Sequence, residues 1–283
     1  MSIDILSTPD LTDDQFNRLS AFIQKNVGIK MPEEKRIMVQ SRLNSRLKAL
    51  KIKDFDSYLE YAFAPNEDGM EEIAHLINAI TTNLTTFFRE QPHFDYLTSN
   101  VLPEFAKKGL HRVELWSAGC SSGQEPYTLS IVMSEFMRKN PRAFREYSIL
   151  ATDISSKVLN KGIDAVYQMN EIDKVPFDLK KRYFLKSRDP AQQKCRVNKE
   201  TREKVTFMRL NFMDSHYAVS SPKNIIFCRN VLIYFNKKTQ EEVIRKLIEH
   251  LVPGGYLFLG HSETIFGMNL PLVTVAPTVF KKL

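Results

Sequence analysis

From residue 112 onward, short apolar runs alternate with amphipathic helical stretches, and this alternation constrains the chain more than any other feature. Residues 112–117, 148–152, 204–209, 224–228 and 256–260 read as β runs. Residues 125–137, 155–161 and 237–251 between them carry helical periodicity. Residues 274–282 read as a closing antiparallel pair, and Pro253-Gly254-Gly255 as the turn before the fifth run. Strands that alternate with helices assemble into a mostly parallel sheet covered on both faces. Such sheets bind ligands beyond the carboxyl ends of their strands, at the point where strand order reverses. The residues just after each β run are therefore the candidate functional residues.

The first ninety residues have a different texture. Phe16, Leu19, Phe22, Ile23 and Val27 fall at helical spacing, Thr12 and Gln15 have the spacing of a capping box, and Gly28 follows as a stop. Pro32, Glu33 and Glu34 suit the first turn of a second helix, with Ile37, Met38, Leu43, Leu47 and Leu50 on its apolar side. Residues 56–64 and 70–80 complete a small bundle, and a helix near 92–105 leads onward. The expected division is a helical domain at 1–90, a linker helix at 91–111 and an α/β domain at 112–283.

Composition removes several classes. No run of eighteen apolar residues exists, so a membrane-spanning helix is not expected. The first sixteen residues are acidic and lack a long apolar core, unlike a signal peptide. Cys120, Cys195 and Cys228 form no CxxC pair, which argues for a reducing compartment, the cytoplasm, and against structural zinc. The net charge of +7 is concentrated in two places. Residues 30–53 hold eight basic and two acidic side chains, and residues 180–204 hold ten and three. These stretches have few interleaved aromatics, which disfavours nucleic acid as the partner.

The loop after the first β run, Ser117-Ala118-Gly119-Cys120-Ser121-Ser122-Gly123, allows a tight turn and close approach of a ligand to the backbone. It is neither GxGxxG nor a P-loop. Glu125 stands at the start of the next helix, where a pyrophosphate would meet a like charge. A carboxylate there suits a cationic ligand such as S-adenosylmethionine; equally, it can complement the helix dipole. Asp153 follows the second run, where an acidic side chain accepts from ribose hydroxyls or caps the next helix. Asn211-Phe212 follows the third and can bracket an adenine or form a structural turn. Arg229-Asn230 follows the fourth. No Ser-His-Asp or Cys-His pair stands out. Methyl transfer from a sulfonium to a carboxylate needs no base, only in-line alignment.

With these residues in view, the chain resembles the CheR family of chemotaxis receptor glutamate O-methyltransferases over nearly its whole length. The resemblance rests on NLTTFFRE at 83–90, WSAGCSSGQEPY at 116–127, ATDI at 151–154, FCRNVLIYF at 227–235 and GHSE at 260–263. It implies a Rossmann-like S-adenosylmethionine-dependent methyltransferase domain, a small all-α N-terminal domain and an antiparallel β-subdomain inserted at 183–205. It implies cofactor contacts from Asn83, Thr85, Arg89, Gly119, Glu125, Asp153, Asn211, Phe212, Arg229 and Asn230, with no metal. Arg89 and Tyr234 are expected beside the transferred methyl, Arg89 fixing the substrate carboxylate with its planar fork.

The substrate implied is an acidic methylation helix of a methyl-accepting chemotaxis receptor, toward which Arg36, Arg42, Arg46 and Lys48 would steer the enzyme. Some relatives bind a receptor C-terminal pentapeptide through a Gly-rich subdomain loop. Residues 185–195 contain no glycine, so tether-independent action by a monomer is expected. The rivals are a nucleotide-dependent oxidoreductase, opposed by the missing GxGxxG, and a non-catalytic scaffold, opposed by the intact Arg89, Asp153 and Arg229-Asn230.

Overall fold

The computed structural model describes residues 9–81 and 83–283. The chain divides into two compact units, 1–82 and 83–283.

The first unit is a bundle of four helices, α1 (Asp13–Val27), α2 (Arg36–Leu50), α3 (Phe55–Phe63) and α4 (Glu67–Ile80). Each end has a local cause. The Gln15 N–H donates to Thr12 Oγ1 and the Thr12 N–H to Gln15 Oε1, which is the expected capping box. Gly28 ends α1 in the left-handed region, at φ 76°. Asp54 and Asn66 cap α3 and α4. The apolar face of α2 departs from expectation. Val39, Leu43 and Leu47 are buried in an i, i+4 row, whereas Ile37 is 78% exposed and Met38 only half-buried. Ile37 precedes Val39 by two residues, about 200° around the helix. The face that packs against α4 is the Val39-Leu43-Leu47 row, and a 3₁₀ turn at Glu33–Lys35 leads into the helix.

The second unit opens with α5 (Gln91–Tyr96) and α6 (Leu102–Lys107), joined by a widened π turn over Leu97–Val101. Pro103 lacks an N–H and its ring would press on the carbonyl four residues back, and the wide turn comes just before it. Then come β1 (Arg112–Ala118), α7 (Gln124–Lys139), β2 (Glu146–Asp153) and α8 (Ser156–Asp164). The middle of the unit runs β3 (Val166–Gln168), α9 (Phe177–Tyr183), β4 (Phe184–Lys186), β5 (Lys194–Val197), α10 (Lys199–Arg202) and β6 (Val205–Arg209). It closes with β7 (Lys223–Cys228), α11 (Lys237–Glu249), β8 (Leu251–Leu259), β9 (Leu272–Ala276) and β10 (Val279–Lys282).

Seven strands form one sheet in the order β6-β2-β1-β7-β8-β10-β9. The first five are mutually parallel; β10 runs antiparallel to both β8 and β9. Its interior is aromatic, with Phe227 stacked on Phe258 at 4.3 Å and on Phe94 of α5 at 5.9 Å. Pro253-Gly254-Gly255 lies inside β8, not before it. The register against β7 slips between Lys223 and Ile225, so the triplet is an irregularity within the strand. A second, antiparallel sheet has the order β3-β5-β4, drawing one strand from residues 166–168, ahead of the segment the sequence pointed to. No helix among the described residues is long and apolar enough to cross a membrane.

Candidate active site at the carboxyl edge of the sheet

From β1 the chain builds outward to β2 and β6 on one side and later to β7 and β8 on the other. The order therefore reverses at β1 and β7, and the loops leaving them face the crevice where such sheets bind ligands. The loop after β1 is pinned by the Gly119 and Cys120 N–H groups, which both donate to Thr152 O at 2.8 and 2.9 Å. Gly119 sits at φ 83°, and a Cβ there would lie 2.4 Å from Val231 Cγ2. Glycine is thus required by the loop after β7, independently of any ligand.

Asp153 ends β2. Its carboxylate accepts from the Ser121 N–H at 2.9 Å and the Ser155 N–H at 3.0 Å, so it orders the β1 loop as well as its own turn. Burial pushes its pKa up against these donors, and it has no cationic partner among the described residues. The helix cap itself is Ser155, whose hydroxyl accepts from the Val158 N–H. Asn211 stays in a turn, with Oδ1 accepting from the Met213 N–H at 3.0 Å. Phe212 is buried edge-on against Tyr217 and Phe235.

Arg229 organises the centre of the site. Its Nε donates to Glu125 Oε2 at 2.7 Å, and its Nη1 donates to Arg89 O at 2.8 Å and to His93 Nδ1 at 3.1 Å. Glu90 Oε2 lies 3.5 Å from the same Nη1. Glu125 is completed by the Ser117 hydroxyl, which donates to Oε1 at 2.7 Å. The charge of Glu125 is therefore answered within the protein, and its position alone no longer selects a cationic ligand. The set of side chains does. Glu90, Glu125 and Asp153 stand against Arg89 and Arg229, an acidic balance that suits a ligand carrying an ammonium and a sulfonium.

The segment 83–90 enters this site as part of the second unit. Phe87 is buried edge-on to Tyr167 and Phe184, and the Phe88 N–H donates to Thr128 Oγ1 at 3.2 Å. The Ser121 hydroxyl donates to Asn83 O at 3.1 Å. Asn83, Thr85 and Arg89 thus share one anchored stretch against the β1 and β7 loops. The Arg89 guanidinium donates to Leu84 O at 3.0 Å and has no ion-pair partner among the described residues. Tyr234 is half-buried at the end of a 3₁₀ turn over Leu232–Tyr234.

Sequence reasoning missed three residues of this centre. Glu90 accepts from Asn230 Nδ2 at 3.1 Å; burial pushes its pKa up, but that amide, Arg229 and His261 outweigh it and hold the carboxyl below its ordinary value. His93 is 2% exposed, and burial together with Arg229 depresses its pKa to about 4, so it is neutral at pH 7. Because Nδ1 accepts from Arg229, Nε2 carries the proton and donates to Thr278 Oγ1 at 2.9 Å. Glu263 is buried under four backbone N–H groups. Glu90 and Glu263 both close motifs visible in the sequence, NLTTFFRE and GHSE; nothing in the spacing singled out His93. Glu90, His93 and His261 bring three ligand-type atoms within 4.8 Å of one another. The cation beside Glu90 and His93 is the Arg229 guanidinium.

The basic candidates lie in the first unit, and three of the four are engaged. Arg36 pairs with Asp13. Arg42 Nη1 donates to Ala79 O at 2.8 Å and Thr81 O at 3.3 Å, satisfying carbonyls at the end of α4. Arg46 makes a forked pair with Glu72, at 3.0 and 2.5 Å, while the Tyr58 hydroxyl donates to Glu72 Oε1 at 2.8 Å. Lys48 is exposed.

Two family descriptions cover almost all of this chain. The CheR methyltransferase all-alpha domain matches residues 14–81, and the CheR methyltransferase SAM binding domain matches residues 83–280. The chain belongs to the CheR methyltransferase family. It is 39% identical to the chemotaxis protein methyltransferase of Borreliella burgdorferi, across 96% of this chain and 95% of that one. The chemotaxis protein methyltransferase of Salmonella typhimurium is 38% identical, across 89% and 84%, and that of Escherichia coli 34%, across 95% and 91%. Like other CheR methyltransferases, the chain is a chemotaxis-type, S-adenosylmethionine-dependent enzyme. The anchored loop at Gly119, the Asp153 carboxylate without a cationic partner among the described residues and the acidic balance of the site fit that cofactor.

Proposed function

We propose that this enzyme transfers the methyl group of S-adenosylmethionine to glutamate side-chain carboxylates on the cytoplasmic helices of methyl-accepting chemotaxis receptors, forming glutamyl methyl esters. The observation that carries this reading is Arg89, a guanidinium without a carboxylate partner among the described residues, fixed through its own carbonyl to Arg229. The cofactor supplies a methyl group already activated on a sulfonium. The chain has to bind, orient and align. Arg89 forks the substrate carboxylate and the Tyr234 hydroxyl orients it. Asp153 accepts from the ribose hydroxyls, and Asn211 and Phe212 flank the adenine. Asn83, Thr85, Gly119, Glu125, Arg229 and Asn230 complete the cofactor's surroundings, Arg229 by holding Glu125 in place. Arg89→Ala is expected to abolish transfer while the fold and product binding through the remaining groups persist. A normal turnover number in that variant contradicts the assignment.

The substrate is an acidic helix, and the basic face of α2 steers it. Exposed Lys48, with Lys51 beyond the helix end, supplies free charge; Arg36, Arg42 and Arg46 add to the field while serving the bundle. The enzyme works as a cytoplasmic monomer that reaches receptor arrays through its substrate. It acts without a pentapeptide tether, because residues 185–195 lack the glycines of a tethering loop. Titration with a receptor C-terminal pentapeptide is expected to give no binding isotherm; a micromolar complex contradicts tether independence.

A further inference from the structure

The GHSE stretch at 260–263 has no role in the chemistry above, yet it closes on the centre of the site. Glu263 Oε2 accepts from the Gly260 N–H at 2.6 Å and the Asn230 N–H at 3.0 Å. Oε1 accepts from the Val231 and Leu232 N–H groups, both at 2.8 Å. One buried carboxylate, 5% exposed, thus gathers the turn after β8 and three consecutive N–H groups of the turn after β7. Gly260 is needed for that approach. A Cβ there would lie 2.7 Å from Asn230 Nδ2, 2.8 Å from Asn230 N and 2.9 Å from Glu263 Oε2.

The clamp has a target. Asn230 sits in the left-handed region at φ 59°, a conformation asparagine tolerates but does not prefer to the right-handed and extended regions, so contacts select it there. Glu263 fixes its backbone N–H. Glu90 fixes its side chain by accepting from Nδ2 at 3.1 Å, which leaves Oδ1 as the acceptor. The same grip sets the start of the 3₁₀ turn that delivers Tyr234.

We propose that Glu263, seated by Gly260, is a positioning residue for methyl transfer: it holds Asn230 in its left-handed conformation so that the Asn230 amide meets the cofactor. This rests on the assignment of Asn230 to cofactor binding, and not on which substrate is methylated.

Glu263→Gln is the informative change. It keeps size and shape, but the amide turns an NH2 toward two backbone N–H donors whichever way it lies. Calorimetric titration with S-adenosylhomocysteine reads the effect on the full-length chain, alongside Asn230→Ala and the double variant. Glu263→Gln and Asn230→Ala are each expected to weaken binding roughly tenfold. The double variant is expected to bind no worse than the weaker single, because both changes remove the same contact. A carboxylate serving only the fold would lower the melting temperature and leave the affinity of the folded protein alone. Should Glu263→Gln not fold, Glu263→Asp takes its place in the same cycle, since the shorter side chain keeps the charge but cannot reach the N–H groups of both turns. Wild-type affinity in the clamp variant, or losses that multiply in the double variant, overturns the proposal. Wild-type affinity in Asn230→Ala alone overturns the underlying assignment of Asn230 and the proposal with it.

Discussion

His93 shows how a single side chain ties the site to stability. It is buried between Arg229 and Thr278 and stays neutral because burial and the guanidinium both oppose a second proton. Its pKa falls from an unfolded value of 6.5 to about 4, so the unfolded chain binds the extra proton first as pH drops. The stabilisation is therefore complete above pH 6.5 and is lost as pH falls toward 4. The span corresponds to roughly 3 kcal/mol. His93→Gln is expected to flatten the fall in melting temperature between pH 6.5 and 4.5, a window in which His250, also depressed by burial, and, toward its acid end, the carboxylates Glu90, Glu104, Glu114 and Glu135, held below their ordinary pKa, contribute as well. An unchanged slope would show that His93 does not titrate in this way. The residue was illegible in the sequence because a buried neutral histidine leaves no spacing signature. Its meaning comes from Arg229, 136 positions away.

At the scale of elements, α2 carries two tasks that the sequence merged into one. A run of lysines and arginines reads as a charged face, and that reading cannot separate free cations from those consumed by folding. Arg46 is consumed: with Tyr58 it satisfies Glu72, which is only 2% exposed. Arg46→Met is expected to cost on the order of 3–5 kcal/mol in urea unfolding, since a buried carboxylate loses its partner. Lys48→Glu combined with Lys51→Glu reverses two charges at the C-terminal end of α2 and should cost only about 1–2 kcal/mol, the helix-dipole contribution. It should raise the KM for receptor several-fold, more so at low salt, without changing cofactor affinity. A loss in the lysine pair as large as that expected of Arg46→Met, or none in Arg46→Met, would reverse the division of labour.

The elements themselves were largely legible, because caps such as Thr12 and Gly28 and the period of the β runs are local signals. The phase of Ile37 and the Pro253-Gly254-Gly255 irregularity were not. The first depends on which side of α2 packs against α4 and the second on register against β7, and both are contacts between segments far apart in the sequence.

At the scale of the molecule, the α/β architecture and its ligand edge followed from alternation alone, while the site did not end where the alternation began. Asn83 to Glu90 lie ahead of β1 and belong to the second unit, plugged in by Phe87 and tied through Arg89 O to Arg229. The strand ends alone point to the loop after β1 and not to this stretch. The NLTTFFRE motif marks it in the sequence, and its phenylalanine Phe87 and its Arg-Glu pair supply the packing and the contacts to Arg229. Formation of glutamyl methyl esters on receptors is read out by incubation with methyl-labelled S-adenosylmethionine and receptor-containing membranes. Label is expected on a receptor band, released by mild base as methanol, and absent with Arg89→Ala. Base-stable label, or label confined to bands other than receptors, would contradict it.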